Sequence, residues 1–406
     1  MAFAAVLGYG VVGSGVVKAL VDNVDVIANR LGEKVEVKRI LDLREFPDDP
    51  LADRFTKVFD DILNDEEICV VAEAMGGIEP AFTFTKQLLA KGISVVTSNK
   101  ELVAEHGSEL LETARANKAN YLFEGAVCGG IPLIRTVYSA LNADRILSVA
   151  GIMNGTTNYI LTQMANGGSY ETALSEAQEM GYAERDPADD VLAKDPCRKL
   201  AILLSLFIGK TIDYNDIYTE GITNLTEEDG AYAKELGGAI KLVAYAELED
   251  GVKARVAPAV VCAEHALYAV NGVFNAVFIN CDLTGEVMLY GRGAGQMPTG
   301  GAVAADVIEA VKARGNHLPC YWTREKQEVS PRNEMNVKKL IRVCVGDKPK
   351  TADLIQEYFL IDRFVEIGKT DEMGFVTEMM KEEAISAGVA ALESRGVRVL
   401  SQIIVI

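Results

Sequence analysis

The chain has 406 residues, a formal net charge of −19 and 49% hydrophobic residues, a length that predicts two or three domains. Nucleic-acid binding is not expected, because it depends on clustered lysine and arginine side chains. The longest apolar stretches, such as residues 200–208, fall well short of the ~20 residues that cross a bilayer, so no membrane segment is predicted.

The N-terminal residues begin a buried-strand pattern at once and contain no basic leader. A cleaved signal peptide is therefore not expected, and the cytoplasm is the predicted location. Up to residue 125, apolar strand patterns alternate with helical patterns. Strands are predicted at residues 2–7, 35–43, 68–72, 93–96 and 121–123, and helices at 11–31 and 81–90. This alternation is typical of an α/β fold with a Rossmann-type doubly wound parallel sheet.

Three glycines mark the turn between the first strand and the first helix. Gly8, Gly10 and Gly13 form the pattern G-x-G-x-x-G in the strand-turn-helix context where it indicates dinucleotide binding. Gly8 is expected to permit the tight turn, Gly10 to let the backbone approach a pyrophosphate, and Gly13 to allow close helix packing. A glycine turn without a ligand is the alternative, but the repeated β-α units favour the dinucleotide site.

The end of the second strand leaves the choice of cofactor open. Asp42 would accept a hydrogen bond from the ribose 2′-hydroxyl of NAD, whereas Arg44 would meet the 2′-phosphate of NADP. We expect both cofactors to be usable. Neutralising Asp42 is expected to shift the preference towards NADP, because a charge that repels the phosphate is removed.

From residue 146 the pattern changes. Alternating strand patterns at residues 147–153 and 276–290 mix with long helices, which predicts an α+β domain for substrate binding and dimerisation over residues 131–296. Pro298 opens a further helix through residue 311. This helix is predicted to return to the nucleotide-binding domain, which would comprise residues 1–130 completed by residues 297–322.

Residues 181–200 are dense in charge between two helical patterns. The preceding helix is predicted over residues 170–180, with Ser169 as N-cap and Gly181 as its stop. After a loop, the next helix is expected to begin with Asp195 as N-cap and Pro196 at its first position. Lys199 then lies one helical turn after Asp195.

The local pattern of this segment has two interpretations. A capping aspartate with a surface ion pair would contribute about 0.5 kcal/mol and explains the local pattern without any ligand. Alternatively, the carboxylates bind a cationic substrate group and Lys199 handles a proton or a developing alkoxide.

The C-terminal part begins with a polar stretch, residues 323–335, which is predicted to be a linker. Beyond it, strands are predicted at residues 340–345, 364–368, 374–379 and 397–406, and helices at 351–359 and 382–394. This β-α-β-β-α-β order predicts a small ferredoxin-like domain over residues 336–406.

Taken together, these segments resemble homoserine dehydrogenase over essentially the whole chain, in the form that is not fused to an aspartate kinase. The matching stretches are GYGVVGSGV (8–16), EAMGGIEPA (73–81), VVTSNKELVAEHG (95–107), FEGAVCGGIPLI (123–134), GIMNGTTNYILT (151–162), the segment 181–200 and MLYGRGAG (288–295). The resemblance implies interconversion of L-homoserine and L-aspartate 4-semialdehyde with NAD or NADP, in threonine and methionine biosynthesis.

The resemblance also assigns roles to residues. Lys199 corresponds to the catalytic lysine, Asp195 to its carboxylate companion and Lys100 to a second active-site lysine. The residues matched to substrate binding are Glu184, Asn154, Gly155, Thr156 and Asp190, with Thr157 in the same cleft. Those matched to cofactor binding are Gly8, Gly10, Val11, Val12, Gly13, Asp42, Arg44, Glu73, Gly76, Thr97, Ser98, Lys100 and Gly295.

The chemistry is consistent with these roles. The alcohol must lose a proton as its hydride leaves, and an ammonium near the reacting carbon stabilises the developing negative charge. Lysine can also move this proton if its pKa is lowered, although Asp195 would oppose that shift. Homoserine carries an α-ammonium, for which Glu184 is a natural partner.

Three further properties are implied by the resemblance. Glu124, Val127, Gly129 and Ile131 match a loop that can bind a monovalent cation, Na⁺ or K⁺, chiefly through backbone carbonyls. The tail resembles the ACT domain through which many members sense threonine. Here Lys350 replaces the glycine of that domain's Asp-x-Pro-Gly turn, which predicts weak or absent inhibition by threonine. A homodimer through the middle domain is expected.

The sequence departs from the family pattern in two places. Lys194 precedes Asp195 where many members have a small or apolar residue, and Gly300-Gly301 replaces other small residues in the helix after Pro298. Neither departure removes a predicted catalytic group.

Two other functions compete. A semialdehyde dehydrogenase would need a reactive cysteine, and Cys128 is the candidate, but no histidine base lies near it in sequence. The 7 cysteines, without a C-x-x-C pair, are predicted to be reduced core thiols, and the 3 scattered histidines argue against a histidine-ligated metal. A nucleotide-sensing regulatory protein is the other alternative. Retention of Glu184, Asp195 and Lys199 argues against it.

Overall fold

The computed structural model describes residues 1–406, which form two compact units. Unit 1 comprises residues 1–144, 198–214 and 289–327, and unit 2 comprises residues 145–197, 215–288 and 328–406. No helix is both long enough and apolar enough to cross a membrane.

The first part of unit 1 alternates strands and helices. Its strands are β1 (Ala2–Leu7), β2 (Val35–Leu41), β3 (Phe55–Thr56), β4 (Ile68–Glu73), β5 (Ser94–Thr97) and β6 (Tyr121–Leu122). Its helices are α1 (Val11–Asp22), α2 (Val24–Leu31), α3 (Asp60–Leu63), α4 (Ala81–Ala90), α5 (Lys100–Ala116) and α6 (Leu133–Ser139). All neighbouring strands pair in parallel, in the order β3-β2-β1-β4-β5-β6. This order is that of the dinucleotide-binding fold, so the predicted sheet is confirmed.

The predicted helix over residues 11–31 is two helices. Asn23 interrupts it with φ −108° and ψ 20°, and its side-chain amide donates to the carbonyl of Ala19. Asparagine readily makes such local bonds, which compete with a continuous helix.

The middle of the chain contributes the elements between residues 145 and 327. The strands are β7 (Ile146–Ile152), β8 (Lys210–Thr211), β9 (Tyr218–Thr219), β10 (Gly238–Glu247), β11 (Lys253–Cys262), β12 (Phe274–Cys281), β13 (Gly285–Arg292) and β14 (Thr323–Lys326). The helices are α7 (Gly155–Ala165), α8 (Tyr170–Glu179), α9 (Ala188–Val191), α10 (Lys194–Ile208), α11 (Glu227–Glu235) and α12 (Gln296–Lys312).

Helix α12 belongs to the core of unit 1, as predicted, and begins two residues before Pro298. Its residues Val303 and Val307 are fully buried in one cluster with Val6 and Val16 of the nucleotide-binding fold. Helices α1 and α12 approach closely through glycine, since a Cβ on Gly300 would lie 2.5 Å from the backbone of Gly15.

The C-terminal part completes unit 2. Its strands are β15 (Asn336–Val337), β16 (Lys339–Cys344), β17 (Ile361–Val365), β18 (Glu372–Thr377), β19 (Met380–Lys381) and β20 (Val399–Val405), and its helices are α13 (Lys348–Tyr358) and α14 (Glu382–Ser394). Strands β20, β16, β18 and β17 lie side by side in that order, each antiparallel to its neighbour. Together with α13 and α14 they confirm the predicted ferredoxin-like arrangement.

The tail continues the sheet of the middle domain. Strand β20 pairs in parallel with β11, which gives a ten-stranded sheet with the main order β13-β12-β7-β10-β11-β20-β16-β18-β17. A buried ion pair reinforces this junction, because Arg342 of β16 lies 2.6 Å from Asp229 of α11.

The stretch over residues 323–335, predicted to be a polar linker, contains the boundary between the two units and makes several contacts of its own. Strand β14 pairs with β8, and residue Val329 bridges to Val252. The guanidinium of Arg332 stacks 3.9 Å from the ring centroid of Tyr218. These backbone and aromatic contacts depend on residues far away in sequence, which composition alone does not reveal.

Candidate active site

The glycine turn after β1 has the local geometry that the sequence predicts. Gly8 has φ +89°, and a Cβ on Gly13 would lie only 1.9 Å from the carbonyl oxygen of Gly8. By contrast, a Cβ on Gly10 would meet nothing within 4 Å. Gly10 precedes α1, and no side chain caps this helix. The first turn of α1, beginning with Val11 and Val12, can therefore present backbone N–H groups to an anion.

Asp42 and Arg44 bind each other. The two oxygens of Asp42 accept the backbone N–H groups of Tyr9 (2.8 Å) and Arg44 (2.9 Å) and two guanidinium N–H groups of Arg44 (2.8 and 3.0 Å). These hydrogen bonds from Arg44 hold the pKa of Asp42 well below its usual range. The Asp42 carboxylate is largely covered, whereas 62% of the Arg44 side chain is exposed. Sequence reasoning treated the two residues as competitors and missed the pair.

A second network joins the ends of β4 and β5. The buried Glu73 carboxylate accepts hydrogen bonds from the hydroxyl of Thr97 (2.6 Å) and the backbone N–H of Met75 (2.8 Å). Asn99, which the sequence analysis missed, donates 2.6 Å to the carbonyl of Gly77 and caps α5 by accepting from Leu102. Burial raises the pKa of Glu73.

The neighbouring residues matched to cofactor binding lie close to this network. Lys100 opens α5 and is half-buried, Ser98 lies beside Gly125, and Gly76 has φ +80°. Gly295 precedes α12 with φ +119°. The network therefore fixes the two turns that follow β4 and β5, where ligands bind in parallel sheets.

Glu124 has a structural role in unit 1. Its carboxylate accepts the backbone N–H groups of Ile134 (2.9 Å) and Arg135 (2.8 Å), which begin α6. Its own N–H donates 2.8 Å to Asp306, which also pairs with Arg135 at 2.5 Å. Burial raises the pKa of Asp306 to about 7.

The loop matched to a cation site folds tightly after Glu124. Cys128 has φ +52° and is fully buried, and its carbonyl accepts from Ile131. The carbonyl of Ile131 in turn accepts from Leu133 at 2.8 Å. Gly129 packs against Thr299, and Val127 is buried. Any coordination of a cation would therefore rest on backbone carbonyls rather than on the Glu124 carboxylate.

In unit 2, one amide gathers two carboxylates. Asn154 caps α7, and its side-chain N–H groups donate to Asp190 (2.7 Å) and to Asp195 (2.8 Å). Its side-chain oxygen accepts from the N–H and the hydroxyl of Thr157 (both 2.9 Å). Asn154 and Asp195 are 5% and 3% exposed, so the Asp195 carboxylate is held away from water, whereas Asp190 is half-buried.

The first residues of α7 are placed by close contacts. A Cβ on Gly155 would lie 2.9 Å from the carbonyl oxygen of Val273. The hydroxyl of Thr156 donates 2.6 Å to the carbonyl of Tyr182, which ties α7 to the charged segment.

The charged segment 181–200 is more ordered than the predicted loop. Gly181, with φ +73°, ends α8 as expected, and Ser169 caps its start. Helix α9 then carries Asp190, while Glu184 is exposed. The carbonyl of Val191, at the end of α9, accepts from the backbone of Ile222 at 2.9 Å.

Helix α10 begins at Lys194, two residues before Pro196, the predicted first helical position, so Asp195 lies inside the first turn and is not the N-cap. Ala193, at φ +62°, turns the chain into the helix. One turn further along, Lys199 is 8% exposed. The neighbouring Arg198, which the sequence analysis did not single out, lies 3.4 Å from Glu101.

Comparisons with known proteins agree with this arrangement. The family model described as "Homoserine dehydrogenase, NAD binding domain" matches residues 8–124, and the model "Homoserine dehydrogenase" matches residues 132–308. The homoserine dehydrogenase of Bacillus subtilis is 38% identical over 367 residues, which cover 87% of this chain and 83% of the relative. That of Neisseria gonorrhoeae is 35% identical over 96% of this chain and 94% of the relative.

Solved structures agree as well. The homoserine dehydrogenase from Thiobacillus denitrificans matches with a TM-score of 0.91 and 32% identity, over 100% of this chain and 98% of that chain. The S. aureus enzyme matches with a TM-score of 0.82 and 29% identity over the same shares. A hyperthermophilic archaeal homoserine dehydrogenase, solved in complex with NADPH, shares the fold at a TM-score of 0.66 and 24% identity, over 79% of this chain and 99% of that chain.

These matches do not favour either competing function, and full burial does not suit Cys128 as a nucleophile. The parallel dinucleotide-binding sheet agrees with the family matches on both sides of residue 130, and the chain belongs to the NAD(P)-dependent homoserine dehydrogenases.

Proposed function

We propose that this chain binds L-homoserine through the carboxylates gathered by Asn154 and that Lys199 acts on the hydroxyl being oxidised. The observation that carries the proposal is the pair of hydrogen bonds from one buried amide to Asp190 and Asp195. Two carboxylates held together repel each other unless a cation or hydrogen-bond donors compensate them. The α-ammonium of homoserine is a cation of the required charge.

The residue roles follow the chemistry of alcohol oxidation. The bound nicotinamide supplies the hydride acceptor, and the hydroxyl proton must go to a base or to water. Lys199 lies one turn from Asp195 on α10 and is buried, so its ammonium stabilises negative charge on the substrate oxygen in either direction. Lys100, at the start of α5, is proposed as the second lysine near the cofactor.

Glu184 differs from the two aspartates in its exposure to solvent. Its side chain is exposed, whereas Asp190 is half-buried and Asp195 is buried. We propose that Glu184 contacts the substrate ammonium only when substrate is bound. Its exposure is consistent with a residue on a segment that adjusts on binding.

Replacement of Asn154 by serine tests the proposal. Serine keeps an N-cap for α7 but lacks the two N–H groups that reach Asp190 and Asp195. Because charge-assisted bonds are each worth ~1.5–3 kcal/mol, kcat/KM for L-homoserine should fall ~10-fold or more. The KM for the cofactor should not change. Asn166→Ser, at the C-terminal end of the same helix, is the matched control. Equal kinetics for the two variants would contradict the proposal.

Cofactor choice is proposed from the Asp42–Arg44 pair. Four N–H groups already fill the acceptor positions of Asp42, which leaves it poorly placed for a ribose hydroxyl. Arg44 is exposed and held by Asp42, which supports a role in binding a 2′-phosphate. We therefore propose that both cofactors are used and that Arg44 favours NADP.

A monovalent cation is proposed only through the backbone of the loop after Glu124. The carbonyls of Glu124, Val127, Gly129 and Ile131 are the proposed ligands, and that of Ile131, which accepts from Leu133, keeps a second lone pair for the cation. The cation would hold this loop rather than take part in the reaction. A comparison of cofactor KM in Na⁺, K⁺ and a bulky organic cation tests this role.

For the tail we propose an ACT-type module that responds weakly or not at all to threonine. Asp347 caps α13, and Lys350 lies exposed in the first turn of that helix, where the family's turn has glycine. Strong inhibition of initial rates in a threonine titration of the full-length chain would contradict this. A homodimer and a cytoplasmic location are proposed from the family resemblance.

A further inference from the structure

Lys241, on strand β10, is a buried cation that the reaction does not use. Its side chain is 1% exposed, and its ammonium donates to the carbonyl of Val270 (2.7 Å), the side-chain oxygen of Asn271 (2.7 Å) and that of Asn158 (3.5 Å). All three acceptors are neutral. Burial lowers the pKa of Lys241 to about 8, and no charged group acts on it. A buried ammonium without a counter-ion costs folding free energy that an apolar side chain of similar length would avoid.

The acceptors of Lys241 belong to the segment 270–274 and to helix α7. Asn158 of α7 donates to the carbonyls of Val270 (3.3 Å) and Phe274 (3.0 Å). In the other direction, the backbone N–H of Gly272 donates 3.0 Å to the hydroxyl of Thr162, which also lies on α7. The segment and the helix are therefore joined at several points, and the ammonium of Lys241 lies where they meet.

The same segment supports the first turn of α7. Gly155 packs so closely on the carbonyl of Val273 that a Cβ would lie 2.9 Å from its oxygen. The residue before Gly155 is Asn154, whose amide holds Asp190 and Asp195. A shift of the segment would therefore move Asn154 relative to the carboxylates.

We propose that Lys241 is a positioning residue for substrate binding: it fixes segment 270–274, against which the first turn of α7 rests, and thereby sets the position of the Asn154 amide. This inference rests on the proposed role of Asn154 and its carboxylates. It assigns no direct contact between Lys241 and the substrate.

Lys241→Met is the test, because methionine matches the length of lysine and removes both charge and donors. We expect kcat/KM for L-homoserine to fall ~10-fold, since small misplacements of binding groups are costly. The KM for NADP should stay within ~2-fold and thermal stability should not fall, because a buried charge without a counter-ion is removed. Unchanged homoserine kinetics, or an equal loss for substrate and cofactor, would overturn the inference.

The chain offers a matched control. Lys339, on β16, is 2% exposed, but its ammonium pairs with the buried Glu382, far along the chain from α7. Lys339→Met should lower thermal stability, because it weakens the pairing of a buried carboxylate, and should leave homoserine kinetics unchanged. Lys241→Met is thus expected to impair homoserine kinetics without loss of stability, and Lys339→Met to lower stability without a kinetic effect. This contrast distinguishes a positioning role from a general loss of packing.

A second variant keeps the inference testable if Lys241→Met does not fold. Asn271 is exposed, and Asn271→Ala removes one acceptor of Lys241 without opening the core. It should give a smaller loss in kcat/KM for homoserine, again without a change for the cofactor. If Asn154→Ser impairs homoserine kinetics while Lys241→Met and Asn271→Ala do not, the positioning role is wrong and the proposed function stands. If Asn154→Ser has no effect, the proposed function is wrong.

Discussion

At the scale of single residues, Arg44 and Asp42 form the pair that we propose meets a bound cofactor beyond the glycine turn. In this pair the guanidinium of Arg44 lies at the surface, and the carboxylate of Asp42 beneath it holds it in place. NADP differs from NAD by a 2′-phosphate, which carries negative charge. Under this proposal, the exposed guanidinium of Arg44 favours NADP over NAD because it attracts that phosphate.

Opposite substitutions at this pair should shift cofactor preference in opposite directions. Arg44→Ala removes the proposed phosphate partner, so the ratio of kcat/KM for NADP to that for NAD should fall ~10-fold, as expected for one charge-assisted contact. Asp42→Asn leaves the positive charge of Arg44 uncompensated, so the ratio should rise. Initial rates with each cofactor, at saturating L-homoserine, measure both ratios. Unchanged ratios in both variants would mean that the pair does not face the ribose.

The structural roles of single residues were predicted well from the sequence where backbone geometry restricts the residue type. Gly8 and Gly13 were assigned correctly because a tight turn and close packing restrict those positions to glycine. The Asp42–Arg44 pair and the capping role of Asn99 were not foreseen. They depend on which side-chain rotamers meet across a turn, which residue type alone does not determine.

At the scale of secondary-structure elements, the crossing of α1 and α12 holds the nucleotide-binding fold together across a large separation in sequence. A Cβ on Gly15 would lie 2.2 Å from the carbonyl oxygen of Gln296, and one on Gly300 would lie 2.5 Å from the backbone of Gly15. These contacts are backbone to backbone, so neither side can move away by a rotamer change. Gly301, the next residue, would place its Cβ in open space.

Alanine at Gly300 and alanine at Gly301 should therefore have opposite effects on stability. Gly300→Ala should destabilise unit 1 by ~1–3 kcal/mol, the usual cost of overpacking, and should weaken cofactor binding. Gly301→Ala should be neutral or stabilising by up to ~1 kcal/mol, because alanine favours a helix over glycine. Chemical denaturation of the two variants beside the parent chain measures the difference. Equal free energies of unfolding for the two variants would show that α1 and α12 can move apart without loss of stability.

Most of the helices and strands that the sequence analysis named lie within a few residues of their predicted bounds, and the order of the tail elements was correct, but the long strands β10 and β11 were not predicted. The incorrect predictions lie where a single residue, or a contact with a segment distant in sequence, determines the local structure. Asn23 divides the first helix, and α10 begins two residues early, after Ala193 with its positive φ. The backbone bonds that order residues 323–326 come from β8, which the local sequence does not contain.

At the scale of the whole molecule, the tail is part of the sheet of unit 2. Strand β20 pairs with β11, and the fully buried Asp229 accepts from Arg342 and from Ser401, both in the tail. Asp229 also completes the capping box of α11 with Thr226. The tail therefore contributes to the folding of the middle domain whether or not it senses an effector.

A chain truncated before β16 should not fold cooperatively. Truncation would expose the edge of β11 and remove Arg342, the buried partner of Asp229, and loss of one partner of a buried ion pair costs ~3–5 kcal/mol. We expect aggregation or a broad unfolding transition in circular dichroism. A soluble truncated chain with a sharp transition and full activity would contradict this account.

We propose that α10 carries the catalytic step, with Lys199 acting on the oxygen of homoserine. The most direct measurement is the initial rate of NADP reduction by L-homoserine for the parent chain, Lys199→Ala and Lys194→Ala, with cofactor binding followed separately by fluorescence. Removal of a group that stabilises developing charge should lower kcat ~100-fold or more in Lys199→Ala while the cofactor still binds. Lys194→Ala, exposed on the first turn of the same helix, should retain the parent rate. A folded Lys199→Ala variant with a near-parent rate would contradict the claim.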